Sequence, residues 1–425
     1  MIGRDLLRTR WGRIFAFGVL YISEGIPLGF AAVAMTAYMR REGLDIGQIG
    51  AFIASFYLPW AFKWAWAPLV DMITLEKWGG RKTWIALCQA SMIVTLFAIT
   101  QIDYGLHFDL LITLVLIHNV FSATQDVAID SLAINTLKED ERATANGFMF
   151  GAAYVGQGLG GGGAMFVSDR FGFDTAFLYV CLLLLAIFSF LLLFVKDSAI
   201  RERVEKTTAN VWNALIAKIA GFLRELRRGF FQSGPGPVVG VLFALLPVGA
   251  MALSGSIAST LQVDIGMTDN QIAQLNIYST VLSGIGCIIG GWAADRWGQR
   301  PMLALWYALT TLPTLYIAVQ LAGPAGLDGL SIGNYFAGSL CFAFCMGMHY
   351  GTGSAIFMGL TNPLVAATQF TGYMALKNLT ISYTNLWQGY VADAFDYATV
   401  MYIDSALVAL PLLVIPFLKP ARSQQ

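Results

Sequence analysis

Apolar stretches long enough to cross a bilayer recur along the whole of this chain. A transmembrane helix needs roughly 20 apolar residues, and twelve runs meet that length. They cover residues 13–39, 46–70, 83–101, 108–137, 142–167, 174–195, 237–262, 269–294, 301–322, 331–359, 364–391 and 397–418. With 57% of its residues hydrophobic and only 12% charged, the chain has too little polar surface for a soluble protein. The sequence therefore predicts an all-α polytopic membrane protein with twelve transmembrane helices.

Basic residues are distributed unevenly among the segments between these runs. Of the 26 lysines and arginines, 21 fall on one side of the predicted topology and three on the other. Because cytoplasmic loops carry an excess of such residues, we expect both termini to be cytoplasmic. No cleavable signal is expected, since arginines precede a first run that is too long for a signal peptide.

A polar segment at residues 196–236 divides the runs into six and six. We predict a six-helix bundle in residues 1–195, a cytoplasmic linker in 196–236 and a second six-helix bundle in 237–425. Apolar residues recur at helical spacing through residues 211–231, with cations between them. This pattern predicts an amphipathic linker helix lying along the inner membrane surface.

The two halves of the chain also have similar loop sequences. An acid, a glycine and basic residues follow both the second and the eighth run. These residues are Asp71, Arg81 and Lys82 in the first half, and Asp295, Arg296 and Arg300 in the second. Acids accept from helix N-terminal amides and cations pair with helix C-termini, so we predict a gate on the cytoplasmic side. The alternative is ordinary positive-inside charge. The pattern resembles the major facilitator superfamily, in which two pseudo-symmetric bundles share a midplane site.

Carboxyl groups inside the apolar runs are candidates for proton coupling. Asp126 and Asp130 are four residues apart and share one helix face. A charge at the centre of a bilayer costs roughly 2.5 kcal/mol or more, so this face is expected to border a watery path for substrate and protons. We predict Asp126 as the protonatable group, aided by Glu24 or Asp130. The alternatives are structural pairs of Glu24 with Lys63, and of Asp130 with loop cations such as Arg81.

Lysines and aromatic residues inside the runs are candidates for substrate binding. Lys63 lies among tryptophans, where it needs an acid or an anionic ligand, and Lys377 has no acid nearby in sequence. The alternatives are that Lys63 snorkels to the surface and that Lys377 forms a fixed pair with Glu24 or Asp126. The predicted substrate-binding residues are Tyr57, Trp60, Lys63, Trp64, Asn119, Gln125, Tyr373, Lys377 and Asn378.

Glycines crowd the fifth run, where residues 156–161 match the pattern G-x-G-x-x-G. No strand precedes this match, so a nucleotide site is not expected. The glycines are expected to form a small-residue face that allows close helix approach.

Several stretches resemble the bacterial muropeptide permease family. They are residues 24–29, 58–71, 80–82 and 122–130, with weaker matches near residues 367–376. The wider group includes eukaryotic acetyl-CoA transporters and siderophore permeases. The resemblance implies proton-driven import, across the bacterial inner membrane, of anhydro-muropeptides released in cell-wall recycling. It carries functional roles over to Lys63, Gln125, Asp126 and Asp130.

The sequence thus predicts a proton-coupled symporter that imports an anionic organic solute by alternating access. A siderophore importer of the same family is the main alternative. A drug exporter, disfavoured because the fifth run lacks a Gly-Pro pair, and a non-transporting receptor rank lower. We expect no enzymatic activity, cofactor, metal or nucleic-acid partner. The expected partners are a small-molecule substrate, protons and the lipid bilayer, with the protein working as a monomer.

Overall fold

The computed structural model of this protein is almost entirely helical. It describes residues 5–72, 80–103, 106–138, 141–196, 211–247, 252–362 and 365–419. No strand occurs among these residues.

Seventeen α-helices are used below to locate residues. In chain order they are α1 Arg10–Arg41, α2 Ile46–Phe62, α3 Ala67–Met72, α4 Arg81–Ile99, α5 Phe108–Thr136, α6 Arg142–Gly158, α7 Ala164–Phe171, α8 Phe173–Phe194, α9 Val211–Phe231, α10 Pro235–Ala244, α11 Ser256–Asp264, α12 Asp269–Trp297, α13 Gln299–Leu321, α14 Ile332–Gly359, α15 Ala366–Ala394, α16 Tyr397–Leu407 and α17 Ala409–Val414.

Among the described residues, each of the twelve predicted runs is mainly helical. Eight helical segments of the described chain are long and apolar enough to cross a membrane. They are Arg10–Arg41, Arg81–Ile99, Phe108–Thr136, Phe173–Phe194, Asp269–Trp297, Gln299–Leu321, Ile332–Gly359 and Tyr397–Phe417. The remaining runs are helical but are interrupted, or carry more polar residues. The prediction of an all-α polytopic membrane protein is confirmed.

The seventh run is divided where the sequence predicts one continuous helix. α10 ends at Ala244 and α11 begins at Ser256. Pro247 lies between them, and the residue before a proline is disfavoured in the helical conformation. The hydropathy of this stretch stays high across the break, so it reads as one span in the sequence.

Side chains from other helices satisfy the backbone exposed by this break. Asn385 accepts from the Ser256 amide at 2.8 Å, and Asp404 accepts from the Ala252 amide at 3.0 Å. The Tyr383 hydroxyl donates to the Leu245 carbonyl. Unpaired backbone groups are costly within a membrane, so these contacts stabilise an irregular segment there.

Glycines let α1 and α6 approach at backbone distance, as expected from the fifth run. A Cβ added at Gly25 would lie 2.0 Å from the Ala153 carbonyl oxygen, and one at Gly160 would lie 2.0 Å from that of Ile26. A short π-helical stretch, Leu159–Gly163, follows directly. The prediction of a small-residue packing face is confirmed.

The chain forms two compact units. Unit 1 contains Met1–Met35 and Phe62–Ile219, and unit 2 contains Thr36–Ala61 and Ala220–Gln425. The C-terminal end of α1 and nearly all of α2 thus group with the second half of the sequence. The division into two six-helix bundles at residues 1–195 and 237–425 stays a prediction.

Polar contacts bind segment 36–61 to the rest of unit 2. Arg40 donates to both carboxylate oxygens of Asp264 at 2.8 Å, and the Tyr397 hydroxyl donates to the same group at 2.6 Å. Asp393 accepts from the amides of Ile46 and Gly47, at the start of α2. A carboxylate at a helix N-terminus is favourable, because it satisfies free amides and complements the helix dipole.

The predicted linker helix is present as α9. Its end packs on α15, where Thr368 donates to Glu225 at 2.6 Å and Gln369 donates to the Gly229 carbonyl at 3.0 Å. Its position at the membrane surface stays a prediction.

Candidate functional site: a carboxyl cluster and a separate lysine cleft

A lysine–aspartate pair joins two segments of unit 1. Lys63 begins a 3-10 turn, Lys63–Ala65, between α2 and α3. A proline at position 68 of the sequence disfavours an uninterrupted helix through this stretch, because a proline is incompatible with a helical hydrogen bond to the residue four positions earlier. From the turn the Lys63 ammonium donates to Asp126, which is only 5% exposed on α5. Lys63 therefore faces an acid, one of the two environments that the sequence predicted for it.

A neighbouring residue holds this turn against α5. The Trp66 indole nitrogen donates to the Thr124 hydroxyl at 3.0 Å. Thr124 in turn donates to the Val120 carbonyl of its own helix at 2.6 Å. Trp66 thus positions the segment that carries Lys63.

Asp130 lies one turn further along α5 and binds a tyrosine of α1. The Tyr21 hydroxyl donates to Asp130. Arg81, which the sequence offered as a partner for Asp130, instead donates to the Ser131 hydroxyl at 2.6 Å. Asp130 therefore belongs with the buried polar groups around Asp126.

Glu24 completes the carboxyl cluster of unit 1. It lies on α1, three residues after Tyr21. Its buried Oε1 has no hydrogen-bond partner among the residues that the structure describes. It interacts electrostatically with Lys63, Asp126 and Asp130. Three carboxyl groups thus lie near one ammonium, which contacts Asp126, and we call this arrangement the carboxyl cluster.

Two amide side chains of α5 were predicted to contact substrate. Gln125 donates to the Ser23 hydroxyl at 2.8 Å and links α5 to α1, while its own Oε1 accepts no hydrogen bond from the described chain. Asn119 is fully buried and donates to the Val115 carbonyl at 3.0 Å. The Gln125 side-chain oxygen can therefore accept a hydrogen bond next to the cluster. Asn119 instead contacts the backbone of its own helix.

The predicted aromatic residues are divided between the units. Trp64 belongs to unit 1, and Tyr57 and Trp60 belong to unit 2. All three side chains are half-buried. Their roles in substrate binding stay predictions.

A second polar feature lies wholly within unit 2. The Lys377 ammonium of α15 lies 5.0 Å from the ring centroid of Tyr350 and 5.7 Å from that of Phe357. Asn378 is half-buried beside it. Tyr373 is fully buried and donates to the Pro237 carbonyl at 2.9 Å, a helix-packing contact.

The predicted gate residues are only partly defined. The side chain of Asp71 lies outside the described residues. Lys82 donates to the Leu192 carbonyl at 2.8 Å. Asp295 and Arg296 are exposed, and Arg300 is half-buried at the start of α13. Their gating role stays a prediction.

Sequence reasoning missed a buried ion pair in unit 1. Arg13 of α1 donates to both oxygens of Glu141, with the Nε contact at 2.8 Å, and also to the Leu7 carbonyl at 3.0 Å. The Arg13 guanidinium holds the pKa of the Glu141 carboxyl below its ordinary value. In the sequence, Arg13 counts only among the basic residues of the predicted cytoplasmic side, and the spacing of the two residues does not relate Arg13 to Glu141.

The chain belongs to the major facilitator superfamily. Residues 14–248, more than half of the chain, match the model of this family. It is therefore a multi-pass membrane protein and a transporter of the major facilitator type, which handles small molecules.

Curated relatives show which group of transporters the chain resembles. The chain is 26% identical over 406 residues to the anhydromuropeptide permease of Escherichia coli K12, covering 93% of this chain and 77% of that protein. It is 24% identical over 413 residues to a Rickettsia felis chain named as transporter AmpG 4, covering 95% of each. The predicted resemblance to the muropeptide permease family is confirmed.

Solved structures support the same fold. A D-xylose-proton symporter matches with a TM-score of 0.71 at 12% identity, over 96% of this chain and 98% of that one. The nucleoside transporter NupG matches with a TM-score of 0.69 at 13% identity, over 95% and 98%. At such low identity these likenesses show the fold.

Proposed function

We propose that this protein is a proton-coupled symporter that imports an anhydro-muropeptide across the bacterial inner membrane by alternating access. The carboxyl cluster of unit 1 is the observation that carries the proposal. The permease relatives favour a muropeptide as the cargo, and they lend no support to a siderophore. The excess of basic residues in one set of loops favours cytoplasmic N- and C-termini.

The charges of the cluster suit proton coupling. Glu24, Asp126 and Asp130 together carry three negative charges when ionised, and Lys63 carries one positive charge. In a medium of low dielectric such an excess is costly, so the cluster is most stable when protons neutralise it. Proton binding to the cluster is therefore part of the working cycle.

The pair between Lys63 and Asp126 links the proton to the solute. While Asp126 is ionised, it holds the Lys63 ammonium. Protonation of Asp126 removes the attraction and releases Lys63 to bind an anionic group of the solute. Proton and solute then favour the same state, which is positive coupling between two sites.

Transport by purified protein in proteoliposomes tests this role. Asp126→Asn mimics the protonated carboxyl, so uptake driven by an inwardly directed proton gradient should be lost while exchange of labelled anhydro-muropeptide persists. Asp109→Asn, on the exposed first turn of the same helix, is the matched control and should transport normally. Accumulation by Asp126→Asn at the wild-type level would refute the proton-coupling role. Competition by an iron-loaded siderophore, but not by unlabelled muropeptide, would refute the cargo.

A further inference from the structure

A cleft in unit 2 contains a positive charge that no carboxylate of the described residues balances. It lies beside the break between α10 and α11, with Ala244 and Leu246 on one wall. Lys377, His349, Tyr307 and Tyr350 form much of the rest. Broken membrane helices commonly border the substrate sites of transporters, because irregular backbone is tolerated where it lines a cavity.

Lys377 has no acidic partner in this cleft. Among the residues that the structure describes, no carboxylate lies within 4.0 Å of its ammonium. The ammonium is instead contacted by the faces of Tyr350 and Phe357. Ring faces attract a cation only modestly and do not neutralise it.

Three acids of unit 2, of which Asp404 is buried, have other partners. Asp404 accepts from the Ala252 amide and from Gln388, the latter at 2.9 Å. Asp264 is held by Arg40, and Asp393 caps α2. The positive charge of Lys377 is thus left for a group that comes from outside the protein.

His349 supplies a second unsatisfied polar group to the same cleft. The side chain is 4% exposed, and its Nδ1 makes no hydrogen bond of good geometry within the described chain, although the Met346 carbonyl of the same helix lies near the ring. Its ring lies 4.5 Å from that of Tyr307, centroid to centroid. A buried polar atom without a partner is costly, so such an atom in a cleft indicates a ligand.

The size of the cleft limits what that ligand is. Its free space holds about one water-sized group. A whole solute does not fit in this space, so a solute reaches Lys377 with one small terminal group only. One ammonium balances one negative charge, which favours a carboxylate over a doubly charged phosphate.

We propose that Lys377 and His349 form a subsite for one carboxylate of the transported solute, beside the break in the seventh span. The subsite rests on the proposed function, since anhydro-muropeptides carry peptide carboxylates. It adds a second anchoring point to the one at Lys63 and makes free carboxylates a requirement for tight binding.

Binding of two matched probes tests the subsite. The probes are an anhydro-muropeptide and the same compound with its carboxylates converted to primary amides, measured by calorimetry on purified protein at neutral pH. Wild-type protein should bind the amide at least about tenfold more weakly, equivalent to about 1.4 kcal/mol. Lys377→Met should bind the acid more weakly and should lose most of the preference for the acid over the amide, with Lys63 accounting for any preference that is left. Lys377→Arg should keep a preference for the acid, and Lys218→Met, an exposed lysine of α9, should behave as wild type.

Each outcome separates the two proposals. If Lys377→Met discriminates as strongly as wild type, the subsite is refuted while the proposed function stands. If wild-type protein binds neither probe, the proposed cargo is refuted and the subsite with it. Thermal unfolding checks that Lys377→Met is folded, which we expect because the substitution removes an uncompensated buried charge.

Discussion

Breaking the ion pair between Arg40 and Asp264 is expected to release segment 36–61 from the rest of unit 2. The guanidinium makes two contacts of 2.8 Å with one carboxylate, and the side chains are 24% and 14% exposed. Removing one partner of a fully buried pair costs about 3–5 kcal/mol. Partial exposure reduces this cost to about 2 kcal/mol for Arg40→Ala. Tyr397→Phe removes only one hydrogen bond to Asp264 and should cost about 1 kcal/mol.

A cysteine in place of Ser382 reports the release. The Ser382 hydroxyl donates to the Ala54 carbonyl at 2.8 Å, between α15 and α2, and the residue is 6% exposed. In a background lacking the five native cysteines, a thiol reagent reaches this position only when α2 moves away. When α2 moves away and returns faster than the thiol reacts, the labelling rate is proportional to the fraction of molecules in which α2 has moved away. Arg40→Ala should then label about thirtyfold faster, the factor that corresponds to about 2 kcal/mol.

Two further variants make the result decisive. Exchanging the charges, with Arg40→Asp and Asp264→Arg together, should return labelling most of the way to the wild-type rate. Arg170→Ala, on α7 of unit 1, is a control for loss of an arginine and should leave the rate unchanged. Equal labelling of wild type and Arg40→Ala, with the thiol fully reactive after denaturation, would refute the reasoning.

The remaining predictions concern packing and pH within unit 1. The Arg13 guanidinium lowers the pKa of Glu141 from its ordinary value of 4.5, so the pair stabilises the fold at neutral pH and loses this contribution as the pH falls through the folded-state pKa. Thermal unfolding should show Glu141→Gln a few degrees less stable at pH 7, with the difference vanishing in acid; a constant difference would contradict the pairing. Gly25→Ala places a Cβ 2.0 Å from the Ala153 carbonyl oxygen and should cost about 3 kcal/mol or more, seen as loss of the monodisperse peak in gel filtration. Gly158→Ala meets no atom within 4 Å and is the matched control; equal behaviour of the two variants would argue against close helix approach.

The helices could be predicted from the sequence because each depends on a local property. A bilayer requires roughly 20 apolar residues per span, and hydropathy alone locates such runs. The break before Ser256 had a local signal in Pro247, but the apolar residues on both sides masked it. The turn at Lys63 likewise follows from Pro68, whose effect on the preceding carbonyl is local.

The partners within the site could not be predicted in the same way. Lys63 binds Asp126 because the turn after α2 lies beside the middle of α5, a tertiary relation that no spacing encodes. The residue types were nonetheless informative, since ionisable groups in apolar runs are costly without partners. Sequence reasoning therefore found Glu24 and Lys377 as unusual residues, while the identity of their neighbours required the fold.

The charges of the two polar features give the proposed symport a physical basis. The carboxyl cluster has an excess of negative charge that protons remove, and the cleft has a positive charge that a carboxylate balances. If the protein changes between its outward-facing and inward-facing states while either charge is uncompensated, that charge remains at the bilayer centre. This is unfavourable by roughly 2.5 kcal/mol or more. A state with both proton and solute bound avoids this cost at both features, whereas a state with only one bound avoids it at one. On this reasoning, removing the Lys377 charge should weaken the dependence of transport on the solute's carboxylate while leaving its dependence on the proton gradient, because the two features neutralise different charges.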